Sequence, residues 1–241
     1  EWAVGMQEGD GWNALFWNNH DQPRAINRFG DPGRYRVESA TMLATVIHLL
    51  RGTPFVYMGE EIGMTDPDYE TISDYVDVEA HNAFASLMET GRSEREAFAI
   101  VHGKARDNAR TPMQWDSGRT AGFTNGTPWL RSTNQARINV ADEEAEGRIL
   151  PYYRRLIALR KGQPVISQGR YLPYAMDHPE VFAYIREHSG QRLLVLTNFR
   201  AKQAEIEIPL DFTEGSILIS NYPERTLDST IRLESVSYTH L

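Results

Sequence analysis

Phe16-Trp17-Asn18-Asn19-His20-Asp21-Gln22-Pro23-Arg24-Ala25 is the stretch on which the reading of this chain turns. It continues an apolar, strand-like run that begins at Ala14 and ends at Trp17, and it delivers a polar cluster to the end of that run. Pro23 lacks a backbone N–H and has a fixed φ, so a helix is not expected to start immediately after the cluster. In barrels of parallel strands, reactive side chains stand at the C-terminal strand ends. An Asp beside a His at such a place is therefore a candidate for chemistry.

Working outward, Arg28 to Arg36 is a turn-rich loop containing Gly30, Asp31, Pro32 and Gly33. A helix is expected from about Glu38 to Leu50, apolar over most of its girth through Met42, Leu43, Val46, Ile47, Leu49 and Leu50. Gly52 stops it, and Thr53-Pro54 leads into Phe55-Val56-Tyr57-Met58, a run suited to a buried parallel strand. Strand, loop, helix, glycine and strand together form a βαβ unit. After Gly59-Glu60-Glu61-Ile62-Gly63-Met64 an irregular stretch reaches Asp77. Two helices are then expected, near Val78 to Met88 and Glu94 to Lys104, the second opened by a Ser93/Glu96 capping box. Arg106 to Asn134 is polar, aromatic and too long for a simple connector, which marks a functional loop. Arg148 to Lys161 reads as an amphipathic helix closed by Gly162 and Pro164.

Beyond Pro164 the apolar period falls to two. Val181–Ile185, Leu193–Thr197, Ala204–Ile208 and Ile217–Ile219 are expected as strands of a small antiparallel domain of about 70 residues. The boundary is placed near Gly162, giving residues 1–162 and 163–241. No internal repeat or low-complexity tract interrupts either part.

Composition narrows the function classes. Of 241 residues, 41% are hydrophobic and 24% charged, as in ordinary globular proteins. The net charge of −8 argues against nucleic acid or an acidic membrane surface as partner. No apolar run approaches the roughly 20 residues of a membrane span. With no cysteine there is no disulfide framework and no thiolate metal site, as is usual in a reducing compartment. The chain opens at Glu1 with no targeting segment and reads as a fragment.

From residue types alone, two readings of His20 and Asp21 stand open. One is a carboxylate–imidazole pair that grips sugar hydroxyls as a ring flattens toward an oxocarbenium ion. The other is an N-cap Asp beside a packed His. Arg106 has the alternative of simply pairing with Asp107 or another acid, and Glu79 that of a solvated charge at a helix start. Glu60 and Glu61 are read as structural. Trp115, Phe123 and Trp129 are expected to pack the long loop rather than stack on sugars. His48, His81 and His102 lie at no metal-ligand spacing, and His48 is expected as a packed helix residue.

His20-Asp21-Gln22-Pro23-Arg24, Arg51-Gly52-Thr53-Pro54 with Gly59–Met64, Asp77-Val78-Glu79, and Arg106-Asp107-Asn108-Ala109-Arg110-Thr111-Pro112-Met113-Gln114-Trp115 recur together in one family. From Trp12 to about Leu227 the chain resembles the α-amylase family of glycoside hydrolases, in its oligo-1,6-glucosidase and trehalose-6-phosphate hydrolase branch. That resemblance implies an α/β fold, the C-terminal part of a (β/α)8 barrel (strands seven and eight with their helices), followed by a small antiparallel β domain. It implies that Asp21 stabilises the transition state, that His20 and Arg106 bind the same glucose, and that Glu79 lines the leaving-sugar subsite. The nucleophilic Asp and the acid/base Glu of the family would lie upstream of this chain, so the fragment alone is expected to be inactive and, with an unpaired strand edge, to fold poorly.

The expected activity is release of glucose from the non-reducing end of short α-1,6-linked oligosaccharides by a retaining α-glucosidase. No cofactor and no metal are expected, the only partner is a small oligosaccharide or disaccharide, and the compartment is the cytoplasm. The alternatives are trehalose-6-phosphate hydrolysis and, in another class, a non-catalytic amylase-like binding scaffold; Asn18-Asn19 and Asn108-Ala109 lean toward oligo-1,6-glucosidase, and retention of His20, Asp21 and Arg106 argues against a scaffold. Ser235 to Leu241 does not match the family's closing strand and reads as foreign sequence.

Overall fold

A computed structural model describes residues 2–222 and 227–240. In chain order its elements are α1 (Trp2–Glu8), β1 (Ala14–Leu15), α2 (Ala25–Phe29), α3 (Arg36–His48), β2 (Thr53–Pro54), α4 (Val78–Glu89), α5 (Glu94–His102), α6 (Asp107–Arg110), α7 (Val140–Ala145), α8 (Ile149–Gly162), α9 (Pro164–Ser167) and strands β3 (Arg170–Tyr174), β4 (Val181–His188), β5 (Gln191–Asn198), β6 (Ala204–Glu207), β7 (Thr230–Leu233) and β8 (Ser237–His240). Single 3₁₀ turns occur at Glu60–Ile62, Ile72–Asp74 and Leu210–Phe212. The chain divides into two compact units, one of Glu1–Phe16, Phe29–Phe55 and Pro151–Leu241, the other of Trp17–Arg28 and Val56–Leu150.

In the first unit, β1 and β2 pair in parallel with Ala14 opposite Thr53 and Leu15 opposite Pro54. The N–H groups of Thr53 and Phe55 donate to Asn13 O and Leu15 O at 2.8 and 2.7 Å, and the proline between them occupies the position that need not donate to β1. Gly52 turns the chain into β2 at φ 143°, and a Cβ there would stand 2.5 Å from Asn13 O, so glycine is required. The expected strand over Phe55–Met58 is corrected: the ladder lies on Thr53–Pro54, and Phe55, Val56 and Met58 are exposed. An apolar run becomes a buried strand only when neighbouring strands flank it, and among the described residues β2 pairs with β1 alone.

α3 is buried from Ser39 to His48, as its all-round apolar sequence demands. Its C-terminal carbonyls are satisfied by side chains rather than solvent. Tyr184 Oη donates to Val46 O at 3.0 Å, Arg160 Nη1 to Leu50 O at 2.8 Å, and Arg186 Nη1 to Leu49 O at 3.3 Å. Two guanidiniums at this end also complement the helix dipole. His48 packs edge-on to Tyr153 with centroids 5.6 Å apart, and its Nδ1 lies 2.8 Å from Ala44 O. Burial pulls its pKa down to about 4.

The β part forms a four-stranded antiparallel sheet, β3-β4-β5-β8, and a two-stranded one, β6-β7. Val181, Ala183, Ile185, Leu194, Leu196, Ile206, Phe212, Ile231 and Leu233 make one core between them. One expectation is corrected here. Ile217–Ile219 forms no strand; the partner of β6 is β7, with Ile206 opposite Ile231. Three consecutive apolar residues are too few to separate a strand from a buried loop, and Ile219 is buried without a ladder. β3 was not among the expected strands; it carries Pro173, and among the described residues it pairs only with β4, so it is an edge, where proline is tolerated. The backbone of Ser237–His240 pairs with β5 from Asn198 to Val195, so this tail completes the sheet whatever its origin.

In the second unit, α4 and α5 begin where the sequence places them. Asp77 accepts Glu79 N–H at 3.1 Å as N-cap of α4, and Ser93 with Glu96 closes the expected capping box of α5. Tyr69, Tyr75, Ala80, Val101 and Ala105 form one core, and Ile62, Met64, Met113 and Ile138 another. The long loop after α6 is held by amides: Gln114 Nε2 donates to Asn134 Oδ1 at 2.6 Å, and Asn134 Nδ2 to Thr65 Oγ1 at 3.0 Å. With amides holding the loop, its aromatics are left at the surface. Trp115, Phe123 and Trp129 are 51%, 52% and 66% exposed, against the expectation that they pack the loop.

Candidate functional site

The site is assembled inside the second unit from three separate stretches: the turn at residues 18–24, the N-terminus of α4, and α6. The turn is shaped from below. Asn18 is buried, donating to Glu60 Oε2 at 2.8 Å and accepting Ala25 N–H at 2.5 Å. Arg24 is fully buried, its N–H bonded to Asp66 Oδ1 at 2.7 Å and its Nη1 to Met58 O at 2.5 Å. Burial lowers the Arg24 pKa and raises that of Asp66 to about 6. Glu60 also accepts Tyr57 N–H at 3.3 Å, an internal use that suits a structural carboxylate.

These bonds leave His20 and Asp21 at the surface of the turn, with side chains 71% and 49% exposed. His20 Nε2 lies 3.4 Å from Asp21 Oδ2. The other oxygen of Asp21 faces two guanidiniums, Arg110 Nη2 at 3.0 Å and Arg106 Nη1 at 3.9 Å. Arg110 also donates from Nε to His20 O at 2.7 Å. Arg106 is gripped by Asp77 through Nε–Oδ2 at 2.7 Å and Nη2–Oδ1 at 2.8 Å, and touches Glu79 Oε2 at 3.0 Å. This bidentate pairing pulls the Asp77 pKa down, with Arg106 as the first cause, and raises that of Arg106.

The four residues singled out in the sequence are thus brought into one cluster. Asp21, His20, Arg106 and Glu79 are linked by contacts of 3.0 to 3.9 Å. The structure adds three more. Arg110, rather than Arg106, makes the short bond to Asp21. Asp77 and the fully buried Asp107 stand behind the arginines, with Asp107 Oδ2 accepting Val76 and Asp77 N–H at 2.9 Å each. Arg106 and Arg110 lie four apart across a helical turn and so share a face, a spacing visible in the sequence. Among the described residues no three His, Cys, Asp or Glu side chains gather as metal ligands.

Chemically, a half-exposed carboxylate with an imidazole on one side and a guanidinium on the other presents acceptor and donors to a polyhydroxylated ligand. The family description "Alpha amylase, catalytic domain" matches residues 1–169. The chain belongs to this family. "Alpha-amylase SusG C-terminal domain" matches residues 181–237. The amylase-family chain is 46% identical over 227 residues to a trehalose-6-phosphate hydrolase of Bacillus subtilis, covering 92% of this chain and 40% of that protein. It is equally identical, with the same coverage, to an oligo-1,6-glucosidase of Halalkalibacterium halodurans. The crystal structure of Bacillus licheniformis trehalose-6-phosphate hydrolase superposes with a TM-score of 0.93 at 42% identity, covering 99% of this chain and 44% of that one. The chain therefore spans about two fifths of the length of the curated relatives it matches. Its fold is the C-terminal part of the family's (β/α)8 barrel followed by a small antiparallel β domain.

Proposed function

We propose that this chain is the C-terminal segment of a retaining α-glucosidase acting on short α-glucosides, with isomalto-oligosaccharides cleaved from the non-reducing end. Asp21 stabilises the oxocarbenium-like transition state by binding sugar hydroxyls, His20 and the arginines orient the same glucose, and Glu79 lines the side where the leaving sugar sits. The attacking carboxylate and the proton donor, which retaining enzymes hold about 5–5.5 Å apart, are supplied by sequence upstream. The barrel segment extends to residue 162 and the β domain from 163, a division supported by the change of family description between residues 169 and 181.

The observation that carries this reading is the convergence of His20, Arg106 and Arg110 on one half-exposed carboxylate, Asp21. A carboxylate fixed by donors in this way strengthens its hold on the sugar as positive charge develops on the ring. Around them four carboxylates, Asp21, Asp77, Glu79 and Asp107, stand against two guanidiniums. That acidic balance opposes a phosphate nearby and supports a neutral substrate over a phosphorylated one. Trehalose-6-phosphate hydrolysis is the second reading, favoured by the similarity to the B. licheniformis enzyme. No helix among the described residues is long and apolar enough to cross a membrane. We place the enzyme in the cytoplasm, a reading supported by its cysteine-free sequence, with a small sugar as its partner.

Assay of the intact protein on isomaltose and trehalose 6-phosphate in parallel separates the two readings. Hydrolysis of isomaltose is expected, and turnover of the phosphorylated sugar alone would overturn the first. Asp21→Asn is expected to lower kcat by at least about a hundredfold, as for loss of a transition-state contact. Near-normal turnover would remove Asp21 from the mechanism.

A further inference from the structure

The geometry points to Asp77 as a positioning residue that acts on Asp21 through Arg106. The inference rests on the glycosidase reading above. An arginine next to an exposed carboxylate ordinarily closes on it in a bidentate pair, because its planar fork matches the two oxygens. Arg106 does not. Its fork is closed on Asp77, with bonds of 2.7 and 2.8 Å, and only Nη1 is left toward Asp21, at 3.9 Å.

Asp77 wins this competition because it is held still. Its side chain is 6% exposed against 49% for Asp21. Its N–H and that of Val76 are both bonded to Asp107 Oδ2, and Asp107 is fully buried. A further bond, from Glu79 N–H, fixes Asp77 Oδ1. The consequence falls on Asp21, which keeps one short bond, to Arg110, and so retains acceptor capacity for sugar hydroxyls. Without the Asp77 charge, Arg106 would be free to close on Asp21 and cover the oxygens that a substrate needs.

Asp77→Asn tests this with little disturbance of the fold, since Asn is as good an N-cap as Asp; Asp77→Ser is a second cap-preserving variant should the first fail to fold. In the intact enzyme, with hydrolysis of p-nitrophenyl α-glucoside as the readout, Asp77→Asn is expected to lower kcat/KM at least tenfold. In an Arg106→Ala background the same substitution is expected to change it less than twofold, because the residue acts through Arg106. Equal losses in both backgrounds, or no loss in the first, would overturn the inference. An inactive wild-type enzyme would instead defeat the glycosidase reading. The Arg106 Nε–H resonance then decides the positioning claim by itself: a shift of this resonance in Asp77→Asn that is abolished by adding Asp21→Asn supports it, and an unmoved resonance, or a shift indifferent to Asp21→Asn, overturns it.

Discussion

Arg110 reaches past its own helical turn to donate to Asp21 Oδ1 from Nη2 at 3.0 Å, while its Nε binds the neighbouring carbonyl of His20 at 2.7 Å. One rigid guanidinium thus sets both the side chain of Asp21 and the main chain that carries it. A lysine has a single point of charge and cannot span the two acceptors. Arg110→Lys is therefore expected to lower kcat/KM of the intact enzyme at least about tenfold, and Arg110→Ala about a hundredfold, the scale of one lost electrostatic contact. Steady-state kinetics on isomaltose check both, and an unimpaired Arg110→Lys would show that the two bonds are not needed.

Two buried groups give stability opposite pH slopes. His48 has its pKa lowered to about 4 by burial, so the folded chain binds fewer protons than the unfolded one between there and its usual 6.5. Its contribution is complete above the unfolded value and is lost as pH falls toward the folded one, roughly 3 kcal/mol in all. Asp66 has its pKa raised from 3.8 to about 6, again by burial. Its contribution is complete below the unfolded value and is lost as pH rises through the folded one, also roughly 3 kcal/mol. The two nearly cancel between pH 4 and 6. Urea denaturation followed across this range should show a shallow profile for the wild type, a steeper loss on acidification for Asp66→Asn, and a profile that falls with rising pH for His48→Gln.

Gly52 is placed where no other residue fits. Its φ of 143°, and the 2.5 Å that would separate an added Cβ from Asn13 O, make Gly52→Ala both strained and crowded. The substitution is expected to destabilise by about 2–4 kcal/mol, through special backbone geometry and overpacking together. Chemical denaturation gives the value, and a change below about 0.5 kcal/mol, typical of surface positions, would contradict the close approach.

Tyr184 is fully buried, and its hydroxyl satisfies Val46 O at 3.0 Å. Tyr184→Phe keeps the ring and orphans a carbonyl near the end of α3, a change expected to cost about 1–3 kcal/mol. Calorimetry should register a lower Tm; an unchanged Tm would mean that the carbonyl finds another donor.

Legibility in the sequence followed the range of the interactions. α3, α4, α5 and the Ser93/Glu96 box were readable because periodicity and capping act within one or two helical turns. β3 was not, because Pro173 is unfavourable in every strand except one at an edge, and edge position is a property of the sheet. Phe55–Met58 misled for the same reason in reverse: the run has the composition of a buried strand but lacks the flanking strands that would bury it. At the site, His20 and Asp21 stood out because they are adjacent and end an apolar run. Asp107 did not, since nothing local separates a buried carboxylate that accepts two backbone N–H groups from an exposed helix-start charge.

By itself the sequence determined the family, the helices of the barrel segment, the change to an antiparallel β part, and the residues from which the site is made. Those follow from short-range patterns and from strings of residues too long to recur by chance. Which arginine binds Asp21 was decided only in three dimensions. Arg106 and Arg110 are equivalent by spacing and charge, and Asp77, 29 residues upstream of one of them, claims its fork and leaves the other to bond Asp21.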